Sequence, residues 1–226
     1  MPSAREAFLQ RVHDALQQGN QPGVVAEVPP RGQTGYQGSG GDAAAHFCAQ
    51  LMAAGGQAHR VADRAAAIAR VLELIQTKGA RSVLLGRGPF IDELELGEKL
   101  TAAGVAVVTA DSQPPESSRE AFFAADVGVT GVDHLIGETG SIAAMAKPSE
   151  PRSFSLLPPV HIAVALEAQI LPDLFDLFTR LGGKGRPKLP SCLALITGPS
   201  KTGDIELKLV TGVHGPGEVH VVLIAD

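Results

Sequence analysis

The chain has 226 residues, 44% of them hydrophobic, and a net charge of −5 from 19 Lys and Arg against 24 Asp and Glu. Acids and bases are interspersed, there is no Trp and there is one Tyr, so neither a basic face for nucleic acid nor a row of stacking platforms for single strands is set up. No apolar run approaches the roughly 18 residues of a membrane-spanning helix, and residues 1–10 lack the apolar stretch of a signal peptide, so a cytoplasmic protein with a substantial core is expected.

Residues 4–18 place Phe8, Val12 and Leu16 on one narrow helical stripe. Residues 21–41 are rich in Gly and Pro and read as a linker or extended loop. The first helix either packs on a partner or a neighbouring copy, or folds back on the domain. The expected organisation is an N-terminal helix with its linker, residues 1–41, followed by an α/β domain, residues 42–226.

Asp42 can cap a helix running to Ala54 and ended by Gly55-Gly56. A short strand at 59–62 and a helix at 65–77 follow, with Val71, Leu72 and Ile75 inward and Gly79 as its stop. Residues 82–85 read as an apolar strand, 92–103 as one helix ended by Gly104, and 105–109 as another strand. Further strands are expected at 126–130, 141–145, 161–165, 192–196 and 219–224. A helix at 171–181 ends at Gly182-Gly183, before a basic loop through Pro190. Helices alternating with short, continuously apolar strands predict a mixed, largely parallel sheet with helices on both faces. Its antiparallel portion falls near the C-terminus.

Cys48 and Cys192 lie far apart in apolar contexts and read as free thiols rather than a disulfide. Two cysteines cannot furnish the four thiolates of an iron–sulfur cluster, and neither Cys-x-x-Cys nor His-Glu-x-x-His occurs, so no metal site is expected. Gly86-Arg87-Gly88 follows a strand, but Pro89 interrupts and Ile91 holds the third glycine position of a dinucleotide fingerprint. Gly198 to Gly203 has the first spacing of a phosphate loop, with Asp204 in the lysine position. Ser200 lacks the flanking glycines of a nucleophile elbow.

Four stretches carry chemistry. In Gly198-Pro199-Ser200-Lys201-Thr202-Gly203-Asp204-Ile205-Glu206, a strand end delivers hydroxyls, a lysine and two carboxylates into a tight turn. Ligands of open α/β sheets bind at the carboxyl ends of strands, which makes this loop a candidate site. The plainer alternative is that Ser200 or Thr202 caps a following helix with Asp204 and Glu206 in its first turn. Glu138 lies among glycines ahead of an apolar strand and can serve as base, nucleophile or acceptor, or be a solvated turn residue. Arg152 can grip a carboxylate or phosphate as a fork. His161 opens an apolar strand, where a core histidine and a catalytic one are both open readings. His214, in a Gly/Pro turn, is the better candidate of the two.

These stretches together resemble the lactate utilisation protein C family, the LUD-domain proteins. The resemblance rests on Glu138-Thr139-Gly140-Ser141, on residues 155–162 (Ser-Leu-Leu-Pro-Pro-Val-His-Ile), on residues 196–206 and on Gly212-Val213-His214-Gly215-Pro216. It covers residues 126–224 well and the first half loosely. Gly203 stands where the family usually has Ala, which loosens the loop without changing its chemistry.

The resemblance implies the α/β fold shared by CoA transferases and sugar-phosphate isomerases. It also implies work beside two iron–sulfur partner subunits that oxidise L-lactate to pyruvate. No cofactor is then expected in this chain, and the clusters belong to the partners. The resemblance carries over no catalytic residues; from the four stretches themselves, the expected ones are Glu138, Asp204 and His214. Contacts to a small carboxylate or phosphate are expected from Thr139, Gly140, Arg152, Pro199, Ser200, Thr202 and Glu206. Two other readings stand beside this one: a stand-alone acyl-CoA or phospho-compound enzyme, with Glu138 as nucleophile by analogy of fold, and a structural or regulatory scaffold.

Overall fold

A computed structural model describes residues 3–19, 38, 41–112, 115–182, 189–203 and 210–225. The chain divides into two compact units, Met1–Gln37 and Gly38–Asp226. In the first, helix α1 (Ala4–Gly19) opens with a reciprocal cap. Ser3 N–H donates to the Glu6 carboxylate at 2.7 Å, and Glu6 N–H donates to Ser3 Oγ at 3.3 Å. Its stripe of Phe8, Val12 and Leu16 is exposed.

The second unit begins as its sequence predicts. Helix α2 (Ala43–Ala53) starts where the Asp42 side chain accepts from Ala45 N–H at 2.9 Å. Strand β1 (Gln57–Val61) leads into helix α3 (Arg64–Thr77), whose cap is Asp63, accepting from Ala66 N–H. Strand β2 (Ser82–Leu85) follows.

The single helix expected over 92–103 is instead two, α4 (Pro89–Glu93) and α5 (Leu96–Ala102). They break at Glu95, which is left-handed with φ 52°. Leu94 and Leu96 are both buried at 1% exposure. In a continuous helix residues two apart point about 200° away from each other, so only a break lets both face the core. Strand β3 (Ala106–Val108), helix α6 (Pro115–Phe123) and strand β4 (Val127–Thr130) complete the first half.

Two more strands, β7 (Val160–Leu166) and β12 (Glu218–Ile224), finish a six-stranded sheet of order β1-β12-β7-β4-β2-β3. Every pairing in it is parallel. The antiparallel portion expected within this sheet is a separate one. Strands β8 (Ile170–Leu171), β5 (His134–Ile136), β6 (Ser141–Met145) and β9 (Leu193–Ile196) pair in that order. A small hairpin joins β10 (Lys201–Thr202) to β11 (Val210–Thr211). Helix α8 (Leu174–Gly182) starts later than expected because Ile170 and Leu171 pair with β5, and the Asp173 carboxylate accepts from Asp176 N–H.

The core is layered. On one face of the parallel sheet, α3, α4 and α5 pack Val71, Ile75, Ile91 and Leu100 onto Val83, Val129, Ile162 and Val222. On the other face α2 and the second sheet pack Phe47, Leu51, Leu135 and Ile142 onto Ala163, Ala165 and Val221. Helix α7 (Ser153–Leu156) covers the rest of that face, with Phe154 against Leu84 and Val108. Helix α8 closes the outer side of the second sheet with Leu177 and Leu181. No helix among the described residues is long and apolar enough to cross a membrane.

Candidate functional site

The order of the parallel strands creates a switch point. From β2 the chain moves outward to β3, and from β3 it returns to β4 on the other side of β2. The loops leaving β2 and β4 therefore diverge to opposite faces and leave a crevice at their carboxyl ends, where open α/β sheets bind ligands.

The crevice is occupied by a carboxylate. Glu150 is 8% exposed, and its Oε2 accepts from Gly131 N–H, just past β4, at 3.0 Å. Gly86, just past β2, leaves no room for a Cβ beside that carboxyl. A clasp holds the segment in place: Arg87 N–H donates to Ser149 C=O at 3.2 Å, and Ser149 Oγ–H donates to Arg87 C=O at 3.1 Å. Burial pushes the Glu150 carboxyl above the usual range, while Gly131 N–H and the Lys147 cation pull it part of the way back. Carboxyls raised by burial in a crevice are the kind that enzymes use for acid–base work or ligand binding.

Around it lies a buried polar cluster. Thr130 Oγ1 is 2.9 Å from His161 Nε2, and both side chains are buried. Burial lowers His161 to about 4, so the ring is neutral near pH 7. Among the described residues its Nδ1 has no hydrogen-bond partner. The histidine read as either core or catalytic is thus fully buried, and its partner Thr130 is the chain neighbour of Gly131, which holds Glu150.

Two hollows meet here. A recess lined by Thr130, Glu150, Ser155 and Met145 has about 10 Å³, room for one water. It shares Ala146, Pro151, Arg152 and Cys192 with a mouth of about 550 Å³ that Lys147 also lines. Lys147 Nζ is paired with Asp133 Oδ1 at 2.8 Å. Arg152 is exposed and makes no ion pair among the described residues.

Most of the residues singled out in the sequence lie elsewhere. The turn 137–140 joins β5 to β6, with Glu138 and Thr139 half-buried. Thr139 Oγ1, Ser141 Oγ and Thr197 Oγ1 form a chain with 2.6 Å steps. Gly140 has φ 64°, and a Cβ there would strike the backbone of Leu51. Pro199 packs against Gly55, and Lys201 Nζ donates to Ala54 C=O at 2.6 Å. Ser200 N–H donates to Pro216 C=O at 2.8 Å, Gly212 N–H donates to Ser200 C=O at 3.0 Å, and Gly215 packs against Ser200. The exposed His214 lies in that same loop. So the turn of Glu138, Thr139 and Gly140 reaches the stretch of Pro199 and Ser200 through Thr197, and that stretch meets the His214 loop.

They do so at the amino end of the parallel strands. Loop 212–217 leads into β12, and its Gly217 N–H donates to Pro159 C=O, just ahead of β7. The expectation that these turns mark a carboxyl edge is corrected. The strand that delivers Ser200 is β9 of the second sheet, and β9 runs antiparallel to β6. Its carboxyl end therefore points toward the amino ends of the main sheet. The seven residues of β12 separate the two edges by about 23 Å at ~3.3 Å per residue.

Arg152 does not join that group. It sits by Cys192 and Met145, at the far end of β6 and β9 from Ser141 and Thr197. Thr202 is in strand β10, paired with Val210, and Ser200 makes backbone bonds to Pro216 and Gly212; the helix that either residue would cap falls outside the described residues. Asp204 and Glu206 lie outside the described residues.

The sequence reading missed Glu150, Thr130, Ser155 and Gly131. A signal was present. Pro148, Ser149 and Pro151 frame Glu150 like a surface turn, but an apolar strand precedes it and Phe154 follows. Cys48 and Cys192 are free and half-buried, and no group of three or more His, Cys, Asp or Glu among the described residues is placed to hold a metal.

The family model described as LUD domain matches residues 44–224. The chain is similar to "Lactate utilization protein C" of an Exiguobacterium species, 39% identical over 118 residues, or 51% of each protein. It thus spans about half the length of that relative. To the protein of that name from Shouchella clausii it is 34% identical over 157 residues, 68% of this chain and 67% of the relative. For the Bacillus subtilis protein the figures are 32% over 151 residues, 64% and 62%. Among solved structures, that of a DUF162 family protein from Deinococcus radiodurans superposes with a TM-score of 0.57 at 21% identity. It covers 80% of this chain and 96% of the other, a likeness of fold. With its α/β domain matched from Ala44 to Ile224, this chain belongs to the LUD domain family.

Proposed function

We propose that this chain works in lactate utilisation, as the subunit without its own cluster in a complex that oxidises L-lactate to pyruvate. Two partner subunits carry the iron–sulfur clusters. The observation that carries this reading is the membership just given, with relatives named for lactate utilisation at 32–39% identity. Oxidising a secondary alcohol releases two electrons and two protons. A chain with two cysteines cannot ligate a cluster through four thiolates, so on this reading the clusters that take the electrons belong to the partners. What this chain can offer is a binding crevice and a titratable carboxyl, and the carboxyl edge has both.

The test is genetic. Deleting the gene from a host without paralogues should impair growth on L-lactate and leave growth on pyruvate intact. Affinity purification of the tagged chain under anaerobic conditions should bring down two cysteine-rich, iron-containing proteins. Normal growth on L-lactate would sink the role, and purification of the chain alone would sink the complex.

A further inference from the structure

The two hollows at the carboxyl edge differ in size in a way that selects a ligand. The mouth, about 550 Å³, is open enough for a small organic anion, while the recess beyond it, about 10 Å³, accepts one water-sized group. Among the described residues that line the mouth, Arg152 is the cation without an ion pair, because the Lys147 charge is already answered by Asp133. A guanidinium offers paired N–H donors that match a carboxylate. Glu150, Thr130 and Ser155 line the recess, so whatever enters must exchange hydrogen bonds there.

We infer that this cleft binds a small carboxylate bearing a hydroxyl or carbonyl oxygen on the adjacent carbon. Arg152 holds the carboxylate, and the second oxygen takes the water-sized place beside Glu150. The carbon chain stays in the mouth. Glu150 can serve both oxidation levels of such a ligand: ionised, it accepts from a hydroxyl, and protonated, it donates to a carbonyl. Burial raises this carboxyl and so favours its protonated form relative to an exposed one. The inference deepens the proposed role in lactate utilisation, and the choice of probes rests on that reading. The size argument does not.

The experiment is calorimetric titration of the purified full chain with L-lactate, pyruvate, propionate and inorganic phosphate. L-Lactate or pyruvate should bind saturably. Propionate, which has the same skeleton without the second oxygen, should bind at least about tenfold more weakly. Arg152→Gln should weaken L-lactate and pyruvate about tenfold or more with an unchanged melting temperature, since the side chain is exposed. Glu150→Gln, which keeps size and hydrogen bonding, should retain part of the affinity, and Glu150→Leu should lose it. Equal binding of propionate and L-lactate would overturn the inference. So would phosphate binding without carboxylate binding, or full affinity in Arg152→Gln. A growth defect in the deletion strain with no binding by the chain overturns the cleft alone. Binding in a chain whose deletion leaves growth on L-lactate normal overturns the physiological role alone.

Discussion

Gly86 at the end of β2 lies with its Cα against the Glu150 carboxyl, and no Cβ fits between them. The same carboxyl accepts from Gly131 N–H at the end of β4. One side chain is therefore wedged between the two strands at which the sheet reverses its order, and both neighbours are residues that can come this close.

Gly86→Ala should destabilise the chain by about 1–3 kcal/mol, the usual penalty for overpacking a filled site. Shortening residue 150 should relieve it. In a double-mutant cycle by urea denaturation, Gly86→Ala should cost less in a Glu150→Ala background than in the parent. Equal costs in both backgrounds would mean that residue 86 is limited by its backbone and not by the carboxyl.

Ser200 separates two local readings. A helix cap there would make Ser200→Ala cost about 0.5–2 kcal/mol. In the structure Ser200 acts through its backbone N–H and C=O, bonded to Pro216 and Gly212. Ser200→Ala should therefore change stability by no more than about 0.5 kcal/mol. Asp42→Ala should cost about 0.5–2 kcal/mol, because the Asp42 side chain does cap α2. Thermal denaturation of the two variants side by side checks the contrast, and a larger loss from Ser200→Ala would favour the cap.

Much of the fold was legible because local chemistry and tertiary packing agree there. Asp42 and the Gly55-Gly56 stop frame α2, and 141–145 is β6 residue for residue. Where they disagree, the sequence misleads. Residues 92–103 have good helical spacing, but burying both Leu94 and Leu96 demands the left-handed break at Glu95. Period and apolarity identify 141–145 and 192–196 as strands without saying which sheet they join. That choice reverses the direction of β9 and moves Ser200 from the carboxyl edge to the amino edge. Strand direction is a property of topology, and no residue in the loop reports it. Glu150 was hidden for a related reason: a charged residue between Ser149 and Pro151 looks solvated until β2 and β4 close around it.

His161 gives a pH signature. The ring is neutral when folded, with its pKa lowered to about 4 from 6.5 by burial. The unfolded chain thus binds the extra proton between pH 6.5 and 4, so stability is full above that window and falls as pH drops through it. A shift of this size corresponds to about 3 kcal/mol. His59, also lowered to about 4, and His220, also lowered, act in the same direction, so the total slope does not isolate His161. Guanidinium denaturation of the parent and of His161→Gln at pH 7 and pH 4 does. The parent should lose about 3 kcal/mol more than the variant over that interval. Parallel losses would place the His161 ring in contact with water.

Glu150 has the opposite sign, and this bears most on function. Its carboxyl is raised, so the folded chain holds a proton that the unfolded chain has released. That contribution is complete below the ordinary carboxylate range near 4.5 and is lost as pH rises through the folded value. Above that point the chain carries an ionised group that burial disfavours. Glu150→Gln keeps the shape and removes the charge. Its stability relative to the parent should therefore rise from pH 4 to pH 8, measured by urea denaturation at both. A purely structural carboxyl has no reason to remain ionisable in a crevice, since the amide would fold as well or better. If the variant is more stable at pH 8 but fails to restore growth on L-lactate in the deletion strain, the ionisable group is retained for its chemistry. A Glu150→Gln chain that is less stable at pH 8 and still supports growth would make Glu150 a structural acceptor for Gly131, and the functional site would have to be sought at the amino edge around Glu138.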